Sequence, residues 1–291
     1  MNFFMDIIRG IFIGVANVIP GVSGGTMAVS LGVYDRLISA LTGLFKDFKK
    51  SMRTIIPVVL GAAVGIIGFA FLVELLFEHF PVATCLTFIG LILGGLPLLV
   101  RAFKEALAQE HARIKAGNII AFVLLFAFGV GMALAGGEGA AVDLSQVDAG
   151  MAVLLFAVGM VASATMVIPG VSGSMVLMIL GYYHPIIGSI TDFITALKNF
   201  DMAGLLHGVS VLMPCGIGVI AGIFLIAKLI DFLFQRFASL TYSAILGLIL
   251  SSPFAIFINL GAVQLKVPEV LLGAVLMAAG AVVTWKVGGE K

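Results

Sequence analysis

The chain has 291 residues, 61% of them hydrophobic and 11% charged, with a mean hydropathy of +1.22. Soluble domains carry about 25% charged residues, so this composition excludes a soluble globular protein and indicates a polytopic membrane protein. A net charge of +1 leaves nucleic acid out as a partner, and Cys85 and Cys215, both inside apolar stretches, read as buried thiols rather than a disulfide or a metal site.

Ten apolar segments are expected, at about 3–19, 26–44, 54–76, 82–100, 118–136, 150–168, 174–191, 211–233, 240–259 and 268–285. A hydrocarbon core of about 30 Å needs about 20 helical residues, so the first two are each marginal as crossings. Between them lies Ile19-Pro20-Gly21-Val22-Ser23-Gly24-Gly25-Thr26, a run of helix-disrupting residues inside an apolar region. It recurs 149 residues later as Ile168-Pro169-Gly170-Val171-Ser172-Gly173-Ser174. A cleavable signal peptide would not recur at mid-chain, so the first segment is expected to belong to the mature fold.

The recurrence extends further. Gly32 and Tyr34 match Gly181 and Tyr183 without a gap. After a connection eight residues longer in the second half, Pro57-x3-Gly61-x3-Gly65 matches Pro214-x3-Gly218-x3-Gly222, and Gly90-Leu91-Ile92-Leu93 matches Gly247-Leu248-Ile249-Leu250. Collinear matches of this kind point to one fold built twice, in halves 1–140 and 145–291 of five segments each. The first half would hold a broken pair over 3–44 and spans 54–76, 82–100 and 118–136; the second a broken pair over 150–191 and spans 211–233, 240–259 and 268–285.

Charge sets the expected relation of the halves. If each half crosses an odd number of times, thirteen basic residues fall on one side, from Arg9 and the Lys46–Arg53 cluster to Lys286 and Lys291. Only Lys198 and Lys266 fall on the other; an even number gives a weaker split, ten against five. The positive-inside rule therefore favours an inverted-topology repeat with both termini cytoplasmic. Each broken pair could cross fully or form a re-entrant hairpin. The hairpin is favoured, because Pro-Gly and Gly-Gly backbone at membrane depth needs protein or water around it.

A broken helix frees backbone groups that need partners. At Ser23, Gly24, Gly25 and Thr26 a new helix begins, and its first N–H groups carry the positive end of the helix dipole. Two hydroxyls and close-approach glycines suit an anion, phosphate above all. Ser172, Gly173 and Ser174 offer the same arrangement, with Pro20, Gly21, Pro169 and Gly170 shaping the breaks and Asn17 preceding the first. The structural alternative is a pair of tight turns with serine caps. Arg36 follows as either a phosphate clamp or an interfacial arginine paired with its neighbour Asp35. The second half has Tyr183-His184-Pro185 there, so the arginine is not duplicated. Glu74 and Asp231 correspond to each other and read as solvated carboxylates. His79, His111 and His207 lack metal-type spacing, so neither a metal nor a cofactor is expected. Proton or sodium coupling and the oligomeric state stay open.

Asn17-Val18-Ile19-Pro20-Gly21-Val22-Ser23-Gly24-Gly25-Thr26, with Gly32-x-Tyr34-Asp35-Arg36-Leu37-Ile38, resembles the prokaryotic polyprenyl-phosphate translocases, formerly domain-of-unknown-function family 368. The resemblance covers nearly the whole chain. It implies a flippase that returns undecaprenyl phosphate from the outer to the cytoplasmic leaflet for cell-wall synthesis. More loosely the break is similar to a loop of the undecaprenyl-diphosphate phosphatases. Here, however, glycine follows each serine where that loop has arginine, and no close glutamate pair lies in an apolar segment. Transport is therefore expected over hydrolysis, with the phosphatase and a carrier of small soluble anions as the alternatives.

Overall fold

The computed structural model describes residues 3–18, 23–137, 139–261 and 266–289. Every regular element among them is a helix: α1 (Phe3–Val18), α2 (Gly24–Ser30), α3 (Tyr34–Thr42), α4 (Phe48–His79), α5 (Pro81–Gly94), α6 (Leu96–Gln109), α7 (Ala116–Leu134), α8 (Ala149–Val167), α9 (Gly173–Ile179), α10 (Tyr183–Asn199), α11 (Met202–Arg236), α12 (Ala238–Leu260) and α13 (Val267–Gly289). Seven helical stretches among them are long and apolar enough to cross a membrane, α5 and α6 counting as one. The chain is thus an all-α, multi-pass membrane protein.

Three expected segments are not single helices. The second segment, 26–44, is α2 and α3 with a turn at Gly32, whose φ of +66° is left-handed. Its counterpart, 174–191, is α9 and α10, bent by 105° at Gly181, φ +75°. Glycine reaches that region without the Cβ penalty. Hydropathy alone missed these turns because apolar residues flank them on both sides. The 82–100 segment likewise divides at Gly95, where Ser30 of α2 lies so close that a Cβ would strike its backbone.

The chain gathers into two compact units, one of Met1–Ala135, Ile168–Val171 and Ala227–Lys291, the other of Gly136–Val167 and Ser172–Ile226. In the first, α1 packs along α4, α5 along α13 and α7 along α12. These contacts are glycine-mediated. A Cβ at Gly10 would run into Val58 and one at Gly61 into Ile7, while Gly90 abuts the Met277 carbonyl and Gly247 the Phe122 carbonyl. Small residues of this kind let helix backbones approach where lipid offers no hydrophobic drive. In the second unit α8 packs on α11 in the same way, Gly159 against Cys215 and Gly218 against Phe156. Beside that contact Leu144, Leu155, Val158, Ile186 and Val211 form a buried core.

The local geometry recurs with the sequence. Gly32 N–H donates to Val29 O at 2.9 Å and Val33 N–H to Ala28 O at 3.0 Å; Gly181 and Tyr182 repeat these bonds to Met178 and Leu177, both at 2.9 Å. Phe80 (φ −137°, ψ 55°) and Phe237 (φ −141°, ψ 50°) open α5 and α12 with matching conformations. Thr84 and Thr241 each donate a hydroxyl to that phenylalanine's carbonyl, at 2.7 and 2.8 Å. A distant glutamate caps each helix: Glu269 accepts Val82 N–H at 2.8 Å, and Glu110 accepts Ser239 N–H at 2.9 Å. Carboxylates at a helix N-terminus are stabilised by its dipole.

Candidate functional site

At both breaks a serine in extended conformation occupies the position just before the next helix, where a short polar side chain is favoured. At the first, Ser23 (φ −99°, ψ 134°) precedes α2 and its Oγ accepts Gly25 N–H at 3.2 Å. Ser23, Gly24 and Thr26 are buried. The Asn17 side chain lies over Gly24, so near that a Cβ would strike its amide, while Asn17 Nδ2 donates to Ile13 O at 3.0 Å. Pro20 and Gly21 lie outside the described residues.

At the second break Pro169 is buried and Gly170 is left-handed, φ +81°, with the Leu248 carbonyl where a Cβ would stand. Gly170 N–H donates to Thr26 Oγ1 at 2.7 Å, so the hydroxyl expected to face an anion joins one break to the other. Ser172 (φ −95°, ψ 117°) precedes α9 but caps none of its N–H groups. Its Oγ is instead 2.9 Å from Ser174 Oγ, and both serines are half-buried. Met166 covers Gly173 as Asn17 covers Gly24.

Arg36 lies in the first turn of α3, beyond the Gly32 turn. Its partner is not the adjacent Asp35. Arg36 Nη2 donates to Asp6 Oδ1 at 2.7 Å, while Asp35 Oδ2 accepts the Tyr242 hydroxyl at 2.7 Å. Asp6 Oδ1 also takes Arg9 Nη1 at 3.1 Å. Arg9 in turn donates Nη2 and Nε to the Val287 carbonyl, at 2.9 and 3.3 Å. Arg9, Tyr34, Asp35, Arg36, Arg101 and Tyr242 are among the residues that line a cavity of about 780 Å³. Ser23 and Thr26 do not line it; the seven residues of α2, about 10 Å of helix, stand between. The expected residues therefore form two groups, Thr26 with Gly170 at the breaks and Arg36 with charged neighbours in the cavity.

Sequence reasoning missed Asp6 and read Arg9 as an interfacial positive charge, whereas both are buried. The signal was their i, i+3 spacing within an apolar run, which sets opposite charges on one helix face. Among the described residues no cluster of histidine, cysteine and carboxylates could hold a metal. The Glu74 side chain lies outside the described residues.

A family model described as undecaprenyl phosphate translocase-like matches residues 13–268. A polyprenyl-phosphate transporter of Staphylococcus aureus is 28% identical over 87% of this chain and 86% of its own length. One of Vibrio cholerae is 25% identical over 87% of this chain and 77% of its own. No solved structure matches. With the model spanning most of an all-helical, membrane-spanning chain, the protein belongs to the undecaprenyl phosphate translocase-like family.

Proposed function

We propose that this protein is a flippase that carries undecaprenyl phosphate from the outer to the cytoplasmic leaflet of a bacterial-type plasma membrane, where the lipid re-enters cell-wall polymer synthesis. The observation that carries the reading is Arg36, whose side chain is 38% exposed into a cavity of about 780 Å³. A guanidinium there is suited to a phosphate monoester, which it can bind through two parallel hydrogen bonds. The second break adds the Ser172 and Ser174 hydroxyls and an α9 first turn that Ser172 leaves uncapped. In this reading the phosphate binds Arg36 in its cavity while the polyprenyl tail stays in lipid. The two halves are inverted-topology repeats that rock against each other, with both termini cytoplasmic. The matched turns at Gly32 and Gly181, and the matched caps at Val82 and Ser239, support the repeat.

Reconstitution in vesicles with leaflet-resolved undecaprenyl phosphate tests the reading. Arg36→Ala is expected to slow inward transport about tenfold or more, the value of one lost charge-assisted bond pair, while the protein still inserts. Normal transport by Arg36→Ala would remove the site assignment. Transport rather than hydrolysis also means that purified protein releases no phosphate from undecaprenyl diphosphate; robust turnover would overturn the reading.

A further inference from the structure

Asp6 sits in α1, fully buried, where an apolar residue would be expected on a helix of this composition. One of its oxygens, Oδ1, is shared by two guanidinium groups, Arg36 at 2.7 Å and Arg9 at 3.1 Å. The other, Oδ2, is buried with no hydrogen-bond partner among the described residues. A buried side-chain oxygen normally has at least one hydrogen-bond partner, and one left without is costly to hold. The arrangement keeps the carboxylate against the arginines at the expense of its own satisfaction.

The two arginines are not equivalent. Arg9 is nearly buried and donates twice more to the Val287 carbonyl, so it is anchored from two directions. Arg36 has Asp6 as its ion-pair partner and is more than a third exposed to the cavity. If Arg36 turned away, Asp6 would keep Arg9 and remain a neutral pair, which avoids the heavy cost of an abandoned buried charge. Arg36 is thus the partner that can leave, and its Asp6 contact is a single hydrogen bond that a phosphate could replace with two.

We propose, building on the transport reading, that Asp6 is a positioning residue whose carboxylate stands in for the substrate phosphate on Arg36. Binding is then an exchange of anions: the phosphate takes Arg36, and Asp6 falls back on Arg9. Release is the reverse exchange, with Asp6 recapturing Arg36 so that the lipid is not trapped on an uncompensated arginine. Asp6 weakens ground-state binding and speeds turnover, a separation that follows when only the bound state, and not the crossing, is over-stabilised.

The full chain, purified in detergent, is titrated with farnesyl phosphate as a soluble short-chain probe, and the same variants are assayed for undecaprenyl phosphate transport in vesicles. Asp6→Asn is expected to bind the probe about tenfold tighter, one competing charge-assisted bond being removed. Its transport shows a lower KM together with a lower kcat, and Asp6→Glu returns both toward wild type. Adding Arg36→Ala to Asp6→Asn abolishes the gain in affinity. If Asp6→Asn does not fold because two arginines are left facing each other, Asp6→Asn with Arg9→Gln removes the excess charge, and tighter binding is expected there. Weakened or unchanged binding in the folded variants makes Asp6 a structural support and overturns the proposal. A wild-type protein that neither binds nor transports the lipid overturns the transport reading itself, before any variant is compared.

Discussion

At the first break, Ser23 caps α2, the Asn17 amide covers Gly24, and the Thr26 hydroxyl is spent on Gly170. At the second, Ser172 leaves α9 uncapped, a methionine covers Gly173, and two half-buried serine hydroxyls face each other. The far ends differ in the opposite sense. Beyond α9, Gly139 N–H donates to Met178 O at 3.0 Å and Val142 N–H to Gly181 O at 3.1 Å, so a connecting segment covers the turn. Beyond α2, Gly32 borders the arginine cavity. Identical backbone turns are therefore closed at one end in each half, and at opposite ends. Two similar backbone turns can thus differ in which end is covered, because the side chains and connections around each are different.

The largest expected effect tests the junction. Gly170→Val forces a branched residue into a left-handed conformation against the Leu248 carbonyl and should cost about 3 kcal/mol or more, read as a lowered melting temperature in detergent. A variant as stable as wild type would mean that the second break is not held as described.

Next in size, Thr26→Val leaves Gly170 N–H without its acceptor and should cost about 1–3 kcal/mol, whereas Thr26→Ser retains it. Ser172→Ala, at the open break, should change stability by less than about 0.5 kcal/mol but slow vesicle transport several-fold. Should the two substitutions exchange these signatures, the distinction between a closed and an open break fails. Val142→Pro removes one of the bonds covering Gly181, at a cost of about 1 kcal/mol, and should leave Arg36-dependent binding of farnesyl phosphate unchanged.

The smallest effect concerns the glutamate that caps α12. Glu110 lies outside the membrane spans, and its hydrogen bonds from the Ser239 hydroxyl and amide lower its pKa from the usual 4.5. A carboxylate with a depressed folded value adds stability above its unfolded value and loses it as pH falls through the folded one. Glu110→Gln should therefore flatten the loss of stability between neutral pH and pH below 4.5, followed by thermal melts across that range.

The membrane class, the recurrence and both break positions were readable before any coordinates. They rest on hydropathy and on glycine and proline, whose effects are local to the chain. Gly32 and Gly181 were matched in sequence, but the turns they make were not seen, because the apolar pattern continues through them. The prediction that Ser23 and Thr26 face a ligand did not anticipate that their oxygens have partners within the protein. That assignment depends on Gly25 and on Gly170, the latter 144 positions from Thr26.

Sequence alone thus determined that the chain spans a membrane, carries one motif twice, and opens a new helix after Ser23 and again after Ser172, since composition and backbone preference act over a few residues. Only the tertiary structure decided where the charges went. Asp6 and Arg36 lie 30 residues apart, Arg9 and Val287 lie 278 apart, and Asp35 reaches Tyr242 across 207. No local pattern encodes such pairs; they form because a charge carried into an apolar fold must take whichever polar or charged partner the packing of α1, α3, α12 and α13 brings within reach.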